Sequence, residues 1–217
     1  MENIESEKVK QLNSALNEQN YVLANSILKE LCNISPNTYQ YQINLAATYR
    51  KINEPQKSYK TYEIAKKLNN KDPILYFNLA NLLNEDLNRI DESIENYLIS
   101  LSLNTNDIGC WKNLSILYMR TDQYDLAIKA SDKILSMNAL HFDGNAIKGY
   151  CLMNLGHIVK AKTFIEKALE IQYDERVMKC LSAINHSLGK VNEGIIQGIK
   201  SDGAFVFYSD DRPYKII

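Results

Sequence analysis

From Ile108 to His141 the chain reads IGCWKNLSILYMRTDQYDLAIKASDKILSMNALH. Trp111, Leu114, Ser115 and Tyr118 recur at helical spacing, so one face of this stretch is apolar and the opposite face polar. Four polar residues, Arg120-Thr121-Asp122-Gln123, interrupt the pattern, and Tyr124, Ala127, Ile128 and Ile134 open a second periodic run. The pattern predicts two amphipathic helices joined by a short turn, together forming a unit of 34 residues.

The unit recurs. The small residue of its second helix falls at Ala24, Ser58, Ser93, Ala127, Ala161 and Gly194, in steps of 34, 35, 34, 34 and 33 residues. A larger side chain at such a position would hold the helix away from its neighbour, so the column marks close approaches between backbones. Units are predicted over about 5–38, 39–72, 73–107, 108–141, 142–174 and 175–203. The first begins with a polar helix, EKVKQLNSALNE, as suits a terminal unit whose outer face meets water. Pro55 stands at the start of a second helix, where its missing N–H costs nothing. The third unit carries one extra residue between Glu85 and Asn88, in its turn. In the fifth, Gly149 takes the close-packing place of the first helix, Gly156 ends that helix, and Lys148 stands where the other units favour leucine. Residues 204–217 combine AFVFY, a polar SDDRP turn and YKII, which predicts a short β-prone hairpin or tail capping the last unit.

The spacing of Trp111, Leu114, Ser115, Tyr118 and Ala127 resembles the tetratricopeptide repeat, with Ala139 where that repeat usually has proline and Ser131 where it favours an aromatic. The resemblance implies an all-α fold, a right-handed superhelical solenoid of about five full helix-turn-helix units and a degenerate sixth. It also implies a concave face built mainly by the first helices. The function it implies is a protein–protein interaction scaffold holding a peptide or protein segment in that groove.

Composition narrows the partners. With 25 basic and 26 acidic residues the formal net charge is −1, so neither nucleic acid nor an acidic membrane is an expected partner, although a local charged patch is compatible with this balance. Cys32, Cys110, Cys151 and Cys180 have no CxxC spacing and read as small reduced core residues. The start, MENIESEKVKQLNSAL, holds no apolar run, so neither a signal peptide nor a membrane span is expected and a cytoplasmic location follows.

Candidate chemistry lies on the first helices. Asn44, Asn78 and Asn113 each precede the leucine of that helix, in INLA, FNLA and KNLS. A carboxamide both donates and accepts, so it can hold the backbone of an extended peptide whatever that peptide's side chains. The column is similar to the asparagine ladder in the superhelix of the O-linked N-acetylglucosamine transferase family, which implies side chains directed into an open groove. Asn81 and Lys112 are further groove candidates, and Arg176 and Lys179 would add positive charge toward the C-terminal end. The carboxylate-clamp pattern of chaperone-binding tetratricopeptide domains is not matched. Val9 and Ile74 stand where lysines belong, and Asn78 where that pattern has arginine.

No phosphate-binding glycine loop, nucleophile elbow or HExxH occurs, and His141, His157 and His186 lie in different units. Neither catalysis nor a cofactor nor a metal is expected. The alternative is that the chain is the repeat portion of an enzyme, a glycosyltransferase or oxygenase, whose catalytic domain is absent or separate. Self-association through the solenoid ends is a further expectation, since open ends of a stack can pair.

Overall fold

The computed structural model describes residues 2–188, which form eleven α-helices and no strand among them. In order these are α1 (Glu2–Asn17), α2 (Tyr21–Ile34), α3 (Tyr39–Lys51), α4 (Pro55–Leu68), α5 (Pro73–Glu85), α6 (Ile90–Leu103), α7 (Ile108–Arg120), α8 (Tyr124–Met137), α9 (Phe142–Asn154), α10 (Ile158–Ile171) and α11 (Glu175–Ser187). The column position Gly194, the remainder of the sixth unit and the 204–217 tail lie outside the described residues.

The helices begin where local chemistry starts them. Asp72, Asp107, His141 and Asp174 cap the first helices α5, α7, α9 and α11, each side chain accepting from a backbone N–H of the first turn, at 2.8 Å for Asp72 and 3.0 Å for Asp107. Pro55 and Pro73 open α4 and α5. The turns inside the pairs share one device. Gln19, Asn53, Asn88, Asp122 and Gly156 all have positive φ, between 52° and 79°. A left-handed residue costs a side-chain-bearing amino acid energy that glycine escapes. Gln19 is the least suited of the five, so Gln19→Gly is expected to raise stability by about 0.5 kcal/mol, the strain relieved exceeding the entropy lost. Chemical denaturation at constant m-value checks this.

The described residues divide into two compact units, one up to Thr105 and one from Asn106. In the first, successive helices α1 to α6 pack on one another and α3 also touches α5. Its core holds Leu28, Leu31, Ile43, Tyr62, Leu75, Leu79, Leu82 and Tyr97, all sealed from water. In the second, α7 to α11 pack successively, with α9 also against α7 and α11. Leu114, Leu117, Ile134, Ile147 and Ile165 fill its core.

At its five described positions the small-residue column is buried: Ala24, Ser58, Ser93, Ala127 and Ala161 are all fully inaccessible. Its two serines do more than leave space. Ser58 donates to the Ala46 carbonyl at 2.7 Å and Ser93 to the Ala80 carbonyl at 2.8 Å, tying each second helix to the first. Lys148, at the unusual place in α9, holds its ammonium over the Phe164 ring, 4.2 Å from the centroid, and pairs the same nitrogen with Asp132 at 2.5 Å.

Candidate functional site

In the unit up to Thr105, Asn44 lies on α3 and Asn78 and Asn81 on α5. All three are buried, with relative exposures of 6%, 0% and 7%. Asn44 engages other groups of the chain. Asn81 Oδ1 accepts from the buried Tyr97 hydroxyl at 2.5 Å, across α5 and α6. Asn78 differs from both: its Oδ1 and Nδ2 are inaccessible and neither has a hydrogen-bond partner. These amides, the first two of which the resemblance implies are directed into an open groove, are thus covered in this unit. The physical reason is the contact of α3 with α5, together with the second helices that pack on both. Helical spacing places a residue on a face without fixing how deeply neighbours cover it.

In the unit from Asn106, Asn113 is likewise buried on α7 and has partners within the chain. Lys112, beside it, pairs with Asp143 of α9 at 2.7 Å. Arg176 pairs with Asp174 at 2.8 Å, while the same Asp174 carboxylate caps α11. The Arg176 hydrogen bond and the α11 backbone N–H groups hold Asp174 below the usual carboxylate range. Asp174 raises Arg176 in turn, with a smaller contribution from Asp143. Lys179 sits over Glu175 within α11 at 3.2 Å. The charges of this face are thus largely matched inside the unit. Asp143, which pairs with Lys112, is the member the sequence did not single out as part of this face; its place near the start of α9, one helix pair on, is the available signal.

Tyr41 and Tyr76 serve packing: their hydroxyls go to Glu5 at 2.9 Å and to the Asn70 carbonyl at 3.1 Å. The cysteines are free thiols, three of them buried. Burial pushes Cys32 up to about 11 and Cys151 and Cys180 up to about 12, so these thiols are protonated and unreactive near neutrality. Among the described residues no group of three or more His, Cys, Asp or Glu side chains could hold a metal ion. No helix there is long and apolar enough to cross a membrane.

Two tyrosines at matching places in α4 and α6 give a controlled comparison. Tyr62 is fully buried with its hydroxyl unpartnered, whereas Tyr97 donates to Asn81. Tyr62→Phe is expected to leave stability unchanged or slightly raised. Tyr97→Phe removes a donor from Asn81 and is expected to cost about 1 kcal/mol. Paired urea melts of the two variants check the contrast, and equal effects would contradict it.

Antiparallel helix pairs repeating every 34 or so residues, with buried small residues at each close approach, define a helical-repeat protein. The comparisons specify the repeat. A family profile for the tetratricopeptide repeat matches residues 143–175. TPR repeat-containing protein MJ1428 of Methanocaldococcus jannaschii is 29% identical over 112 residues, which are 51% of this chain and 20% of that protein. The chain therefore matches only about a fifth of that relative's length. Among solved structures, the MamA protein superposes with a TM-score of 0.73 at 19% identity, covering 79% of this chain and 93% of that one. A tetratricopeptide repeat protein from Parabacteroides merdae gives 0.76 at 19% identity, covering 91% and 78%. YrrB, described as a TPR protein with an unusual peptide-binding site, gives 0.69 at 15% identity, covering 81% and 89%. Residues 143–175 thus match the tetratricopeptide repeat, and the described residues have the fold of tetratricopeptide-repeat proteins.

Proposed function

We propose that this chain is a non-catalytic scaffold whose first helices hold an extended protein segment. The binding groups are Asn44, Asn78 and Asn81 in the unit up to Thr105. In the unit from Asn106 they are Asn113, Lys112, Arg176 and Lys179. Four free cysteines, three of them buried, suit a cytoplasmic setting.

The observation that carries this reading is Asn78. A fully buried carboxamide with neither atom hydrogen-bonded costs stability, about 1–3 kcal/mol for each group left unmet. An apolar side chain of similar size would avoid that cost. A donor and an acceptor kept there in spite of it fit a role toward a group from outside the chain, and a peptide unit offers the complementary acceptor and donor. Because Asn78 is covered, binding includes a shift of the side chains around it. The peptide-binding site described for YrrB, a protein of the same fold, supports the reading by analogy.

Asn78→Leu separates binding from stability. The variant is expected to be more stable than wild type by about 1 kcal/mol, since a buried unmet amide is replaced by apolar surface. It is also expected to lose the segment that immobilised wild-type protein retains and mass spectrometry identifies. The Asn44, Asn78 and Asn113 triple alanine variant should lose it too, at some cost in stability from Asn44 and Asn113. Full retention of the segment by Asn78→Leu would sink the assignment.

A further inference from the structure

One second helix of the unit up to Thr105 carries an exposed stripe that neither the repeat packing nor the proposed segment site uses. On α4, Lys57, Lys60, Ile64, Lys67 and Leu68 are exposed along one face at helical spacing, with Lys71 exposed just beyond the helix end. Ile64 and Leu68 are 47% and 37% exposed and have lysines to either side of them along the stripe. Counted from the buried small residue of each second helix, the same six positions hold no lysine in α2 and α6, two in α8 and two in α10. A set of four lysines is thus confined to α4 among the described second helices. Glu54 pairs with Lys57 and Glu63 with Lys66, whereas among the described residues Lys60, Lys67 and Lys71 form no ion pair. The helix dipole favours Lys66 and Lys67 in the last turn. It disfavours Lys57 in the first turn, and Lys60, three residues on, adds like charge beside it.

We propose that this face of α4 binds an acidic amphipathic helix of a partner protein. Charge complementarity selects the sign of the partner: on a chain of formal net charge −1, the lysines of the stripe make α4 a local cationic patch. The aliphatics select its form. Ile64 and Leu68, one turn apart, call for apolar side chains facing them, with carboxylates toward both ends of the contact. A helix laid along α4 presents such groups in one line. Run antiparallel, it also aligns the two helix dipoles favourably. From Lys57 to Leu68 the stripe is about 17 Å long, the length of about three turns. A nucleic acid would set its phosphates against Ile64 and Leu68. An anionic bilayer would find only these two aliphatics to bury, a small anchor. The contact is below the size of a standard interface, so binding is weak and reversible. It uses none of the first-helix groups assigned to the extended segment, and its failure would leave that reading untouched.

Titration of the isotope-labelled full chain with synthetic peptides, followed by amide resonances, tests the proposal. The first peptide is a helix with glutamates at both ends of one face and leucines one turn apart at its centre. A second has lysine for each glutamate, and a third has the composition of the first in an order without an amphipathic face. The glutamate peptide is expected to shift the resonances of residues 57–71 saturably, and less tightly at raised salt. The other two peptides should leave those resonances in place. K60E/K67E should weaken binding of the glutamate peptide about ten-fold or more and confer binding of the lysine peptide. I64S/L68S keeps every charge and should still weaken the glutamate peptide several-fold, a loss that attraction between charges alone does not produce. Circular dichroism melting confirms that each variant folds. The proposal is overturned by a glutamate peptide that leaves α4 unshifted, by a reordered peptide that binds equally well, or by variants that bind like wild type. Shifts on α4 with phosphatidylserine–phosphatidylcholine vesicles or duplex DNA, but not with the glutamate peptide, would overturn it in favour of a lipid or nucleic-acid surface.

Discussion

Gly149→Leu is expected to destabilise the chain by about 3 kcal/mol or more, the upper range of overpacking effects. A β-carbon on Gly149 would lie 2.7 Å from Ile165 Cγ1, 2.8 Å from Cδ1 and 3.0 Å from the Ile165 backbone nitrogen. The two side-chain contacts could be relieved by rotating Ile165, at the expense of a packed core residue with no exposure. The contact with the backbone nitrogen cannot, so α9 and α10 must separate. Alanine adds the same β-carbon and gains roughly 1 kcal/mol of helix propensity over glycine, so Gly149→Ala should fall between wild type and leucine. Ala127→Leu, at a fully buried place in the small-residue column of α8, is expected to cost about 1–3 kcal/mol by the same mechanism. Thermal melts followed by circular dichroism order the series. A leucine variant at position 149 that melts with wild type would show that the helices are not held at this separation.

What could be read from the sequence, and what could not, divides along a physical line. Close approach between helices leaves a direct trace, because only a small side chain permits it; Ser58, Ala127 and Gly149 announce the pairing through their size. Helix starts are similarly visible in Asp72 and Asp107, whose carboxylates satisfy N–H groups that have no partner inside the helix. Depth of burial leaves no such trace. Asn44, Asn78 and Asn113 share a register, and the register gives a face, but how far neighbouring helices close over that face depends on packing across tens of residues. The left-handed turn residues were only half visible: Gly156 is conspicuous, while Gln19 in the same conformation is not a residue that advertises it. The stripe of α4 needed exposure values, since Lys60 and Lys67 read as ordinary solvated charges until Ile64 between them is found open to water.

The extra residue of the third unit shows how a local irregularity acquires a long-range partner. Three residues separate the helices in the other pairs, but four, Asp86 to Arg89, separate α5 from α6. Leu87 in this longer turn packs on the core of its unit, and Asp86 accepts a hydrogen bond and ion pair from Arg50 at the end of α3. The Arg50 side chain, 6% exposed, also reaches Glu85 at 2.5 Å. A nearly buried guanidinium thus joins one repeat to the next. An insertion is tolerated well in a turn, and here its residues serve both core and ion pair.

Arg50→Met is accordingly expected to lower stability by about 2–4 kcal/mol at neutral pH. Removing one partner of a fully buried pair costs about 3–5 kcal/mol, and the two carboxylates here, 35% and 27% exposed, recover part of their hydration. Methionine keeps most of the apolar volume of the arginine stem, so the loss reports the charge more than the packing. The pH dependence fixes the cause. Burial holds Asp86 above the ordinary carboxylate value even with the Arg50 guanidinium pulling it down. A raised carboxyl pKa means that ionising Asp86 costs the folded state: its contribution is fully present below the unfolded value and is lost as pH rises through the folded one. Arg50 offsets that loss in wild type, and in the variant nothing does. The stability gap between the two proteins should therefore be widest near neutrality and narrow as the solution is brought below the carboxylate range, where Asp86 is protonated and no longer an anion for Arg50 to meet. Denaturant melts of both proteins at matched ionic strength across this interval measure the gap directly. A gap that is constant with pH would assign the loss to the packing of the Arg50 stem, and one that widened on acidification would reverse the sign of the Asp86 contribution.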